Sequence, residues 1–139
     1  MRSIGIVVFV ALVLAAGAGA SAQKSHSLHA TLTGKVEVPK GDPDGSGTAE
    51  VKITGTKVCW EIKVAKVGKI VAAHIHKGGA GVAGPVVVPF GKTYASKGCF
   101  NSTSAIVSAI EKNPAGYYVN VHNATYPGGA LRGQLKSDG

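Results

Sequence analysis

Apolar and polar residues alternate along several short segments, and this alternation is the feature that most constrains the fold. In the first such segment Leu28, Ala30 and Leu32 occupy every second position, with polar or small residues between them. Residues two apart project from the same face of a strand, so the pattern predicts strands with one buried face. We predict further strands near residues 49–53, 58–64, 70–76, 86–90, 116–122 and 130–136.

Turn-forming residues separate these segments, as in residues 42–45 (Asp-Pro-Asp-Gly) and 126–129 (Tyr-Pro-Gly-Gly). Charged residues make up only 16% of the chain, which argues against a long charged helix, and a hydrophobic fraction of 45% argues against disorder. The sequence therefore predicts an all-β fold, a Greek-key β-sandwich or barrel of about seven to eight strands.

One segment departs from the alternation. Its apolar residues between positions 105 and 110 have helical spacing. Ser102 and Ser104 are candidate capping residues before it, and Asn113 and Pro114 follow it. We predict one short helix near residues 103–112.

The first 22 residues have the pattern of a secretory signal peptide. Arg2 gives a basic start, residues 4–16 are apolar, and Ala20-Ser21-Ala22 forms an A-x-A cleavage site. A membrane anchor is the alternative, but the apolar run is shorter than the roughly 20 residues that cross a bilayer. We expect a single mature domain over residues 23–139, secreted or held in the periplasm or cell envelope without a transmembrane anchor.

Two cysteines, Cys59 and Cys99, allow only one pairing. An oxidising compartment favours a disulfide between them, and two buried free thiols are the alternative. In the chain-entropy description, such a bridge adds about 4 kcal/mol of stability.

The chain is basic, with a formal net charge of +8. Such a charge favours anionic partners, for example cell-wall polymers or lipid head groups. However, the lysines are scattered along the predicted strands without an arginine cluster or an aromatic platform, which argues against nucleic-acid binding. We interpret these lysines as residues on the solvent-exposed face of a sheet: Lys52, Lys57, Lys63, Lys66 and Lys69.

Three histidines are the strongest candidates for chemistry. His74 and His76 are two apart at the end of a predicted strand, so their rings project from one face. Tyr118, Asn120 and His122 share a face of another predicted strand, and His122 joins the pair if the two strands meet. Three neutral imidazoles suit copper or, less favourably, zinc. The alternative is that all three are structural histidines with hydrogen-bond partners.

Catalytic motifs are scarce in the sequence. It holds no G-x-S-x-G or H-E-x-x-H motif, and its glutamates show no pairing that a two-carboxylate glycosidase would need. The loop at residues 42–47 resembles the start of an EF-hand, but position 12 is Ile53, so a turn is favoured over a calcium site. Asn101 and Asn123 lie in N-glycosylation sequons, which matter only in a eukaryote. We predict no catalytic residues.

An ordered set of motifs, including A-H-I-H, Y-V-N-V-H and G-A-L-R-G-Q-L, resembles the CHRD domain, a module named for chordin and also found in small exported bacterial proteins. The resemblance covers about residues 27–136. This resemblance constrains the fold of the chain more than it constrains the function. The motifs lie at residues 32–39, 73–78, 98–99, 117–122 and 129–135.

A more distant resemblance concerns the Cu,Zn superoxide dismutases and implies their β-sandwich, which is similar to the immunoglobulin fold. It places His74, His76 and His122 at copper-ligand positions and Arg132 at the position that guides an anionic substrate. We expect Arg132, Asn120 and Tyr118 to support the ligands or to guide an anion. The chain lacks a histidine between His76 and His122, so the bridging histidine and zinc ligands of that family are missing. The two cysteines also do not correspond to that family's disulfide.

These observations support three functional hypotheses. The first is an exported module that binds copper through the three histidines. The second is a metal-free structural or interaction module that contacts an envelope or extracellular protein, by analogy with chordin. The third is a weak copper-dependent oxidoreductase.

Overall fold

The computed structural model describes Gly17 and residues 19–139. Most of the predicted signal peptide lies outside the described residues. Among the described helices, none is long and apolar enough to cross a membrane.

The described chain is mostly β-structure, with one α-helix, α1 (Ser104–Lys112), followed by a 3₁₀ turn at Pro114–Gly116. Its strands are β1 (Ser25–Thr33), β2 (Ser46–Thr54), β3 (Lys57–Ala65), β4 (Ile70–Lys77), β5 (Val86–Pro89), β6 (Lys97–Asn101), β7 (Tyr117–Asn123), β8 (Leu131–Gln134) and β9 (Lys136–Ser137).

The strands form one antiparallel sheet that curls into a nearly closed barrel, in the order β5-β4-β7-β8-β1-β2-β3-β6, with β9 paired to β1. Strands β1, β2 and β3 are joined by sequential hairpins in full register. In contrast, β6 returns to pair with β3, and β7 returns to pair with β4. These returns are connections of the Greek-key type, and they bring together strands that are distant in sequence.

The inward faces of the strands fill the barrel with apolar side chains. Trp60 on β3 stacks on Phe90 just after β5, with 4.5 Å between ring centroids and 4° between ring planes. The Trp60 Nε1–H donates to the Ala95 carbonyl at 2.9 Å, so its polar atom is satisfied. This stack links the two ends of the sheet across the interior.

The structure confirms the predicted fold class and the seven predicted strands. The sequence prediction missed β6, because Gly98 and Cys99 at its centre interrupt any apolar alternation. The helix is confirmed, but its N-cap is Thr103, whose hydroxyl accepts from the Ile106 N–H, and neither Ser102 nor Ser104. The prediction of the cap was wrong by one position because three hydroxyl residues in a row offer equivalent caps.

The predicted disulfide is present between Cys59 and Cys99, which face each other in the β3–β6 register with Cα atoms 4.0 Å apart. The two sequons differ in accessibility. Asn101 is exposed at the end of β6, whereas Asn123 is 6% exposed and its amide donates to the Val67 carbonyl.

Candidate metal centre

The three histidines lie on the outward face of neighbouring strands β4 and β7. The register pairs His74 with Asn120 and places His122 opposite Ala72. The intervening residues, among them Ile75 and Val121, are fully buried in the barrel interior. Strand alternation therefore turns all three imidazoles away from the apolar core and onto one polar surface.

The ring nitrogens of this histidine cluster (His74, His76 and His122) converge. One nitrogen from each ring lies within 4.8 Å of the other two. The closest pair is His74 Nδ1 and His122 Nε2, which are 3.2 Å apart. Two ligands that are each about 2.0–2.1 Å from a tetrahedral ion lie roughly 3.3 Å from one another. The pair already has ligand spacing, and the cluster as a whole can hold one ion after a small approach of the rings.

Backbone carbonyls orient two of the rings. His76 Nδ1 is 2.8 Å from the Gly84 carbonyl oxygen, and His122 Nδ1 is 2.9 Å from that of Pro127. A carbonyl can only accept, so each neutral ring carries its proton on Nδ1 and its lone pair on Nε2. Metal-ligating histidines are held by this kind of contact.

Among the residues that the structure describes, none gives His76 Nε2 a hydrogen-bond partner. The residue is 9% exposed, and this nitrogen is buried. An unsatisfied polar atom at such a site disfavours the folded state unless a ligand completes it. The lone pair of this nitrogen is therefore free to accept an electrophile.

Burial favours the neutral form of His74 and His76. Desolvation, together with the nearby His122 and His76 rings, lowers the pKa of His74 from 6.5 to about 4. Desolvation also lowers the pKa of His76, although its hydrogen bond to Gly84 acts in the opposite direction. Neutral imidazole is the form that binds a metal ion, so the lowered pKa values of His74 and His76 favour their ligand form.

Asn120, which lies opposite His74 in the β4–β7 register, contacts a buried carboxylate. Its amide nitrogen donates to Glu37 Oε2 and, at 2.9 Å, to the Leu131 carbonyl. Glu37 Oε1 also accepts from the Val38 N–H at 3.1 Å. Burial raises the pKa of Glu37. Sequence reasoning left Glu37 unpaired, because its partner is 83 positions away and no local pattern connects the two.

Arg132 and Tyr118 lie beside the histidines. Arg132 is 1% exposed, and its guanidinium carbon lies 3.4 Å from the centroid of the Tyr118 ring. Its nitrogens donate to the carbonyls of Gly79 and Val82. These contacts hold the guanidinium against the loop that follows β4. The anion-guiding role that the resemblance implied for Arg132 stays a prediction.

Other candidate ligands lie apart from the cluster. His26 and His29 on β1 pair with Glu111 and Asp138. In the EF-hand-like loop, Asp42 Oδ1 accepts from the backbone N–H groups of residues 44 and 45. The side chain is thus engaged in a turn, as the sequence favoured.

Comparison with known proteins adds one finding. The family model of the CHRD domain matches residues 28–135. No curated protein and no solved structure matches the chain. The resemblance to Cu,Zn superoxide dismutases gains no support from these comparisons, so the histidine cluster stands on its own geometry.

Proposed function

The chain belongs to the CHRD domain family, and from this premise we propose that it is an exported envelope module that binds one copper ion through His74, His76 and His122. The observation that carries the proposal is the buried Nε2 of His76, which has no hydrogen-bond partner among the described residues, in a cluster whose three imidazoles each bring one nitrogen within 4.8 Å of the others. The bound ion would supply Lewis acidity or a redox couple at this surface.

The donor set favours copper over zinc. All three ligands are imidazole nitrogens, and the affinity of such a site follows the Irving–Williams order, in which Cu(II) exceeds Zn(II). Export is supported by the signal-peptide pattern in residues 1–22 and by the disulfide, which persists in oxidising compartments.

Calorimetry with Cu(II) and with Zn(II) tests the proposal. The variant replaces two ligands, His74→Gln with His76→Gln. The matched control, His26→Gln with His29→Gln, removes the same number of imidazoles outside the cluster and eliminates adventitious binding near the N-terminus. We expect wild type and control to bind one Cu(II), more tightly than Zn(II), and the cluster variant to lose most of its affinity. Equal binding by both double variants would falsify the proposal.

A metal-free structural module is the second candidate function. Each of the three rings has a hydrogen-bond contact inside the fold: the His74–His122 contact and those to Gly84 and Pro127. If this is their whole role, the cluster variant will unfold at lower urea than the control, and added Cu(II) will stabilise neither protein. Stabilisation of wild type by Cu(II), absent in the cluster variant, decides for the metal.

A further inference from the structure

Residues 78–84, called the glycine loop below, join β4 to β5 beside the histidine cluster. Four of its seven residues are glycine. At Gly84 a Cβ atom would lie 1.6 Å from the Lys77 carbonyl oxygen, so only glycine allows the loop to close against the end of β4. A glycine-rich loop loses more conformational entropy than other loops when it is ordered. Specific contacts must therefore hold it in place.

The glycine loop determines the orientation of His76. The Gly84 carbonyl accepts from His76 Nδ1 at 2.8 Å, and the Gly84 N–H donates to the Tyr118 hydroxyl at 3.0 Å. The Tyr118 ring stacks on the His76 ring, with 4.9 Å between centroids and 9° between planes. One residue of the loop, Gly84, thus contacts both aromatic side chains that set the direction of the unpaired Nε2.

Arg132 in turn holds the glycine loop. Its two terminal nitrogens donate to the carbonyls of Val82 at 2.8 Å and Gly79 at 2.7 Å. Gln134 accepts from the same guanidinium and donates to the Gly78 carbonyl, each at 3.0 Å. Charge-assisted hydrogen bonds in a buried site are stronger than neutral ones, and the planar guanidinium fork spans two carbonyls that a lysine cannot reach together.

We propose that Arg132 is a positioning residue that fixes His76 through the glycine loop and thereby sets the metal affinity of the cluster. The proposal rests on the proposed metal-binding function. It differs from a purely electrostatic role in the sign of its effect. Arg132 is a cation beside a cation site, so its charge alone weakens metal binding, and neutralising it would tighten binding. Loss of positioning has the opposite effect.

The test uses Arg132→Gln, with Lys136→Gln as the matched control. Lys136 is also basic and lies near Arg132, but it is exposed. The first measurement is Cu(II) affinity by competition with a chelator. The second is the nitrogen NMR spectrum of the His76 ring in the metal-free protein, in which the hydrogen-bonded Nδ1 proton is expected to exchange slowly.

We expect Arg132→Gln to weaken Cu(II) binding by about 10- to 100-fold, the range typical of residues that orient a metal ligand. We also expect it to accelerate exchange of the His76 ring proton, while Lys136→Gln changes neither. Unchanged or tighter Cu(II) binding by Arg132→Gln would overturn the proposal, as would an unchanged His76 ring signal.

The two readouts separate the two proposals. If wild type binds no Cu(II), the proposed function fails, and the ring spectrum still shows whether Arg132 fixes His76. If Arg132→Gln does not fold, Arg132→Lys is measured in its place, since it keeps the charge and much of the volume. The lysine variant is expected to weaken binding in the same direction, and wild-type behaviour in both readouts would overturn the positioning role.

Discussion

The outward face of β2 and β3 and the outward face of β4, β7 and β8 have the same alternating polar pattern but opposite environments. On the first face Glu61 lies 3.4 Å from Lys63 and 3.2 Å from Lys97 at the surface. On the second face Asn120 and Arg132 are almost completely buried. The environments differ because loops cover the second face and leave the first face open to solvent.

The two faces also perturb titratable groups for different physical reasons. The pKa of Glu61 is lowered by hydrogen bonds from Lys97 and Lys63 in contact with water. The pKa of His74 is lowered mainly because burial disfavours its charged form. Exposed ion pairs contribute little to stability, whereas buried polar groups must be satisfied. The candidate site of this molecule therefore lies where loops cover a polar sheet face.

The largest effect is expected from removing the disulfide. This bridge supports the open face covalently, whereas hydrogen bonds support the covered face. Replacing Cys59 and Cys99 by serine removes a bridge between residues 40 apart. We expect the free energy of unfolding to fall by about 4 kcal/mol or somewhat less, because the unfolded chain regains entropy. Urea denaturation measures the loss. Cu(II) affinity of the folded variant should stay unchanged, and a large loss of affinity would show that the two sides are coupled.

A smaller effect is expected from Asn120→Ala on the covered face. The substitution leaves the Glu37 carboxylate and the Leu131 carbonyl without this donor in a buried site. We expect a destabilisation of about 2–3 kcal/mol in urea denaturation, because buried groups lose their partner. Lys52→Gln on the open face is the control and should change stability by less than about 0.5 kcal/mol. Similar losses for both variants would contradict the comparison.

The smallest net effect concerns pH, because the pKa shifts of His74 and Glu37 oppose each other. Because folding lowers the pKa of His74 from 6.5 to about 4, the unfolded chain binds more protons than the folded one between these values. The stability of the metal-free protein should therefore fall as the pH drops from about 6.5 towards 4.

Glu37 acts in the opposite direction, since burial raises its pKa. The measurement is thus the difference between wild type and His74→Gln in urea midpoints across this pH range. The variant should show the flatter dependence, and parallel curves would mean that His74 is not desolvated in solution.

Much of the fold could be predicted from local pattern. Period-two alternation located the strands around Leu28 and Trp60, and helical spacing located α1. Local pattern did not predict strand β6, because this segment is a strand through its pairing with β3 and has no apolar alternation of its own. The same limit applied to the site. His74 and His76 were evident as a pair, but no local signal connects Glu37 to Asn120.

The sequence by itself determined which side chains share a face, because that depends only on the two-residue period of a strand. It also determined the one possible cysteine pairing. Only the tertiary structure decided that His122 reaches His74, that Arg132 is buried, and that the glycine loop orients His76. These features depend on Greek-key connections and on loops folding over a sheet face. Contacts of this kind form between residues that are tens of positions apart, where no periodicity in the chain records them.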